Sequence, residues 1–211
     1  MPSKVPIAVL ISGSGTNLQA LLDASHDPGF GCRIVGVVSD RSDAYGLTRA
    51  RNAGIDTTVV EWADYDDREG FTDAIVEASL GLGAEALVLA GFMRILSPSA
   101  IERFPDAILN THPSLLPLFP GAHAIEDTLA GGASTTGVTV HFVDELVDHG
   151  PIIAQEPVVV LPGDDVDALR RRIQEAEHRL YPTVVSAFGR GEIAVRDGTV
   201  EWMTDTEEAV L

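Results

Sequence analysis

Val5–Ile11 is a run of aliphatic residues without polar alternation, the pattern of a strand buried on both faces. Ser12-Gly13-Ser14-Gly15 then turns the chain into a helix from about Asn17 to His26, with Leu18, Leu21 and Leu22 on one face. The same reading predicts a strand at Ile34–Val38, a helix at Ala44–Ala53 closed by Gly54, a short strand at Thr57–Val60 and a helix from about Glu69 to Leu80. A strand at Ala86–Ala90, a short helix after Pro98 and a strand at Ala107–Thr111 continue the alternation. Strands alternating with helices predict βαβ units, hence an α/β, Rossmann-like fold: a mostly parallel twisted sheet with helices on both faces.

Beyond Thr111 the pattern changes. Pro113, Pro117 and Pro120 punctuate a loop, Ala124–Ala130 reads as a short helix, and Val138–Val143 and Pro151–Val160 read as strands around the acidic loop Asp144–Gly150. A long helix from about Asp165 to Phe188 starts at acidic residues that suit its dipole. One further strand-like stretch and an acidic end follow Gly189. No repeat, low-complexity tract or linker interrupts the 211 residues, so one domain is expected over 1–211.

Composition narrows the function. With 14 Lys+Arg against 32 Asp+Glu the formal charge is −18, which argues against nucleic-acid binding, a role that needs cations against phosphates. No apolar stretch reaches the length of a membrane span, and the apolar N-terminal run meets a Gly-Ser turn instead of a cleavage pattern. A cytoplasmic protein with no membrane partner is expected. Cys32 is the lone cysteine, so no intrachain disulfide or cysteine-based zinc site forms, and it reads as a small buried hydrophobe. His123, His141 and His149 match no zinc spacing, and no metal is expected.

Gly13-Ser14-Gly15-Thr16-Asn17 lies between the first strand and the first helix. Glycines there let backbone approach a ligand, and a helix N-terminus offers free N–H groups to an anion. A dinucleotide fingerprint needs a third glycine near position 18, where this chain has Leu18. Asp40, at the end of the second strand, would meet a cofactor ribose in that reading. A monophosphate fits the turn better.

Asn110-Thr111-His112-Pro113 carries the strongest chemical signal. Asn110 and His112 are two apart at the carboxyl end of a predicted strand, so their side chains share one side of the sheet where such folds bind ligands. Pro113 biases His112 to an extended backbone. An asparagine amide suits a developing oxyanion and a histidine suits proton transfer near neutral pH, a pairing that fits acyl transfer. The same spacing also fits a histidine satisfied in a strand-to-loop turn. Asp148 is a candidate third member, since a carboxylate beside an imidazole favours the imidazolium.

Several segments together resemble the folate-dependent phosphoribosylglycinamide formyltransferases of purine biosynthesis. They are VLISGSGTNLQALLDA at Val9–Ala24, LVLAGFMRILSP at Leu87–Pro98, LNTHPSLLP at Leu109–Pro117, DHGPII at Asp148–Ile153 and EHRLYP at Glu177–Pro182. The resemblance implies transfer of the formyl group of 10-formyltetrahydrofolate, the co-substrate, to the glycine amine of 5′-phosphoribosylglycinamide, with no metal required. It places the substrate phosphate on Gly15, Thr16 and Asn17, and Glu177 at the substrate amine. Met93, Arg94, Ile95 and Leu96 would line the folate pocket, with Arg68 reaching the folate side. Asn110 would bind the formyl oxygen, His112 would act as general acid, and Asp148 would tune His112 and order a water. A phosphate-binding half over about 1–100, a catalytic and folate half over about 87–190 and an acidic tail over 190–211 follow, in a monomer or homodimer. The extra domains of methionyl-tRNA formyltransferase and formyltetrahydrofolate deformylase are not expected in 211 residues. Leu118-Phe119 and Ala124-Ile125 depart from the more polar or basic residues common in relatives, so no ribose or phosphate contact is assigned to this loop. The competing readings are a formyltetrahydrofolate hydrolase, a non-catalytic nucleotide-binding α/β domain and an NAD-dependent oxidoreductase.

Overall fold

The computed structural model describes residues 3–203. In chain order these form β1 (Val5–Ile11), α1 (Thr16–Ala24), β2 (Cys32–Ser39), α2 (Tyr45–Asn52), β3 (Thr57–Val59), α3 (Arg68–Gly81), β4 (Ala86–Leu89), α4 (Pro98–Arg103) and β5 (Ile108–His112). Then come α5 (Ala124–Ala130), β6 (Thr135–Phe142), β7 (Ile152–Val159), α6 (Val166–Gly189), β8 (Ile193–Arg196) and β9 (Thr199–Trp202). Seven strands make one sheet in the order β3-β2-β1-β4-β5-β6-β7. Neighbours from β3 to β5 are parallel, whereas β5–β6 and β6–β7 are antiparallel.

The aliphatic run of β1 explains the layering. Ile7, Val9 and Ile11 pack on one face with Leu18 and Leu21 of α1, Leu47 of α2 and Tyr181 and Val184 of α6. Ala8 and Leu10 pack on the other with Phe71 and Ile75 of α3 and Ala100 and Phe104 near α4. Alternate side chains thus feed two cores, as the strand period requires. Local capping sets the helix starts: Asp67 accepts from Gly70 N at 2.8 Å ahead of α3, and Asp165 accepts from Ala168 N at 2.7 Å ahead of α6.

The first helix ends at Ala24, short of the expected His26, where His26 N and Asp27 N bond only three residues back, to the Asp23 and Ala24 carbonyls at 3.4 and 3.1 Å. The tail holds two strands where one was expected. Asp197 and Gly198, both at positive φ, form a tight turn that pairs β8 with β9, the conformation an Asp-Gly pair favours. The remainder of the acidic tail, 204–211, lies outside the described residues.

Candidate active site

Strand order reverses between β1 and β4: β2 and β3 extend to one side of β1, β5 to the far side of β4. The loops leaving these two strands must diverge, which opens a crevice at their carboxyl ends. A cavity of about 540 Å³ lies there, lined among others by Gly13, Asn17, Met93, Arg94, Thr111 and Glu177. Ser12 stitches the two loops together: its N–H donates to the Gly91 carbonyl at 3.2 Å and its hydroxyl accepts from Met93 N at 2.8 Å.

The glycine turn is built by two different demands. Gly15 sits at φ +69 as the residue before α1, and a Cβ there would lie 2.7 Å from Gly46 Cα of α2. Its missing side chain therefore serves backbone packing as well as the turn. At Gly13 a Cβ would meet nothing within 4 Å, so that position opens onto free space. Thr16 and Asn17 open α1, whose first backbone N–H groups face the cavity end of the helix without intrahelical partners. Leu18, in place of a third glycine, is fully buried in the core.

β5 ends beside this crevice, with Thr111 and Pro113 on its wall and Asn110 and His112 just outside it. His112 is 4% exposed, with Nδ1 3.3 Å from Asp148 Oδ2 and Nε2 2.8 Å from the Phe119 carbonyl. Phe119 and Asp148 both occupy left-handed backbone at φ +51, a costly conformation for non-glycine residues that clusters at functional sites. Gly121 N donates to Asp148 Oδ2 at 2.7 Å, and Ser114 Oγ donates to the Leu118 carbonyl at 2.5 Å. The 114–121 segment thus closes over the imidazole, and the cavity wall includes Thr111 and Pro113 but not His112 itself. Asn110 Nδ2 lies 3.2 Å from Nε2 of His141, a residue to which the sequence pattern gave no role once its spacing failed to match a zinc site. Its pairing position opposite Asn110 across an antiparallel ladder was the missing signal.

Glu177 projects from α6 into the cavity while only 7% exposed. Burial pushes its carboxyl up to about 7, against the pull of hydrogen bonds from Asn17 and Thr111. Thr111 Oγ1 is 3.4 Å from Glu177 Oε1, and Asn17 Oδ1 is buried without a partner. Two buried acceptors side by side suit a ligand that brings N–H or O–H donors.

The folate-pocket candidates divide. Met93 and Arg94 line the cavity, with Met93 69% exposed. Arg94 is held by Asp40, Nε to Oδ2 2.7 Å, and stacks over Trp62. Asp40 is therefore engaged by a cation, contrary to its reading as a ribose partner. Ile95 is exposed outside the cavity wall, and Leu96 is half-buried against the core cluster that holds Phe71 and Phe92. Arg68 is exposed at the start of α3 and is not brought to the cavity. Cys32 is buried, its thiol pushed up to about 12 by desolvation, as a small hydrophobe would be. Among the described residues no three His, Cys, Asp or Glu side chains gather as a metal site, and no helix is long and apolar enough to cross a membrane.

Known proteins share this sequence and fold. The profile of the formyl transferase family matches residues 5–185. Phosphoribosylglycinamide formyltransferase of Escherichia coli is 40% identical over 197 residues, covering 93% of this chain and 92% of the relative. The trifunctional purine biosynthetic protein adenosine-3 of Bos taurus is 42% identical over 205 residues, and this chain spans only 20% of its length. Among solved structures, glycinamide ribonucleotide transformylase 1 of Symbiobacterium toebii superposes with a TM-score of 0.94 at 45% identity, covering 97% of this chain and 96% of that one. The chain belongs to the formyl transferase family and, within it, to the phosphoribosylglycinamide formyltransferases.

Proposed function

We propose that this protein moves the formyl group of 10-formyltetrahydrofolate to the glycine amine of 5′-phosphoribosylglycinamide, giving formylglycinamide ribonucleotide and tetrahydrofolate. One observation carries the reading: a single crevice joins an anion-ready helix start and a buried carboxyl to Thr111 and Pro113, the residues that flank His112, the partner of Asp148, at the end of β5. The phosphate sits on the backbone of Gly15, Thr16 and Asn17. The amine faces Glu177, whose carboxyl near 7 titrates in the range where an amine must lose a proton. The folate lies along Met93 and Arg94. Arg68, Ile95 and Leu96 stand beyond that wall. The chain acts as one formyltransferase domain, with its phosphate half over about 1–100 and its catalytic and folate half over about 87–190.

The chemistry needs little beyond positioning. The amine nitrogen attacks the formyl carbon, a C–N bond forms and the formyl oxygen takes up negative charge, to which Asn110 donates. His112 protonates the folate nitrogen as its bond to the formyl carbon breaks. One amine proton is released, so that atoms and charge balance, and Asp148 orients His112 and the water that relays that proton. Holding both substrates in place is worth about 7–11 kcal/mol over the bimolecular reaction. A placed acid adds about 10²–10⁴-fold and an oxyanion donor about 10²–10³-fold. For His112 to reach the folate, the Phe119 carbonyl must leave Nε2.

The test mixes purified protein with 10-formyltetrahydrofolate, with and without phosphoribosylglycinamide, and follows tetrahydrofolate release by absorbance. Release that requires the amine supports transfer. Release without it makes the protein a hydrolase, and folate binding without release makes it a binding domain.

A further inference from the structure

His141 is a buried titratable group with no role in the scheme above, and it touches the residue assigned to the oxyanion. It lies on β6 directly opposite Asn110 in the antiparallel β5–β6 pair and is 2% exposed. Its Nδ1 is 2.7 Å from the Phe142 carbonyl, an atom that only accepts, so Nδ1 carries a proton. Burial lowers the pKa of the ring, outweighing the Phe142 bond and the attraction of Asp148 and Asp144, while His112 pushes the same way as burial. Asp148 Oδ1 stands 3.9 Å from Nε2, beyond hydrogen-bond reach. The ring is therefore neutral, with Nδ1 protonated and Nε2 bare.

A bare nitrogen can only accept. Nε2 is 3.2 Å from the Asn110 amide, so the NH₂ edge of that amide must face it and the carbonyl edge cannot. The main-chain carbonyl of Phe142 thus dictates the tautomer of His141, and the tautomer dictates the rotation of the Asn110 amide. An NH₂ group has two hydrogens. His141 takes one, and the other remains on an amide whose orientation is no longer free.

We propose that His141 is a positioning residue for formyl transfer: it fixes the Asn110 amide so that its second N–H, and not its carbonyl oxygen, meets the developing oxyanion. This rests on the formyltransferase reading. Without His141 the amide could turn its oxygen to the reacting carbonyl, where two negative dipoles would oppose each other. The gain from preorganised donors lies in avoiding that reorganisation.

The experiment combines His141→Phe and His141→Gln with Asn110→Ala in a double-mutant cycle on the full chain, with thermal melts to verify folding. His141→Phe is expected to lower kcat about 10–100-fold, part of the full oxyanion contribution, with both KM values held within about twofold. In the Asn110→Ala background the same change should have no further effect, because there is no amide left to orient. His141→Gln, whose side-chain oxygen can accept, should recover part of the loss, and it carries the cycle if the Phe variant does not fold. Equal losses in both backgrounds, unchanged kcat or an effect confined to KM would overturn the proposal. Independently of turnover, ¹⁵N spectra of the wild-type ring should show Nδ1 protonated and Nε2 bare at neutral pH. The opposite tautomer, or an imidazolium, overturns the role of His141 even where transfer is intact. A wild-type chain that transfers no formyl group overturns the formyltransferase reading instead.

Discussion

His112 Nδ1 lies 3.3 Å from Asp148 Oδ2, which joins the end of β5 to the loop that follows β6. The contact is 95% buried on the histidine side chain and 89% on the aspartate, so bulk water screens it little. Both partners are held by backbone: Phe119 on the far nitrogen of His112 and Gly121 on the same Asp148 oxygen. An imidazole so enclosed is oriented before any substrate arrives.

His112→Ala and Asn110→Ala are each expected to lower kcat by about two or more orders of magnitude while folate binding survives. Steady-state turnover and a folate titration of each variant provide the check. Turnover near that of the wild type in either would remove the role assigned to it.

Glu177 makes stability fall as pH rises. The folded carboxyl keeps its proton up to about 7, whereas the unfolded one releases it near 4.5. Between those values the folded state binds more protons, so the protonated carboxyl's full stability is present below the window and is lost on passing upward through it. The loss is on the order of 3 kcal/mol. Urea unfolding at pH 5 and pH 8, for wild type and Glu177→Gln, measures it: the variant should gain on the wild type at the higher pH. A constant difference between the two proteins would show that Glu177 ionises normally in the folded state.

Tyr181 is 1% exposed and places its hydroxyl 3.0 Å from the Leu89 carbonyl and 2.9 Å from that of Leu109. It thereby donates between β4 and β5 just before Ala90 and Asn110. Tyr181→Phe keeps the ring packing but leaves buried carbonyls short of a donor, at a cost of about 1–3 kcal/mol. Denaturant midpoints should shift accordingly with an unchanged m-value. An unshifted midpoint would mean that neither carbonyl depends on the hydroxyl.

The net charge of −18 opposes the approach of two anionic substrates, although Arg41, Arg94 and Arg170 line the cavity itself. Screening over about 8 Å at physiological ionic strength weakens the long-range repulsion more than the close contacts. Moderate salt should therefore lower both KM values. A KM that climbs steadily with salt would show that the local arginines dominate.

The local patterns carried the fold class far. β1, β2 and β4 were legible because strands buried on both faces read as aliphatic runs, and α5 appears at its expected bounds, Ala124–Ala130. The Asp197-Gly198 hairpin was not legible as a pair of strands because each strand is only four residues long, which leaves little periodic signal. At the site, the spacing of Asn110 and His112 sufficed to put them on one edge of the sheet.

The sequence by itself determined the alternation of strands and helices, the glycine turn and the segments shared with the formyltransferases, since each depends on residues close together in the chain. Only the tertiary structure decided that Asp148 reaches His112, that Phe119 covers it, that Arg68 stands away from the cavity and that His141 faces Asn110. Those relations depend on where antiparallel β6 pairs and how the loops on either side of it close. Chain order leaves both open until the two cores on either face of the sheet are packed.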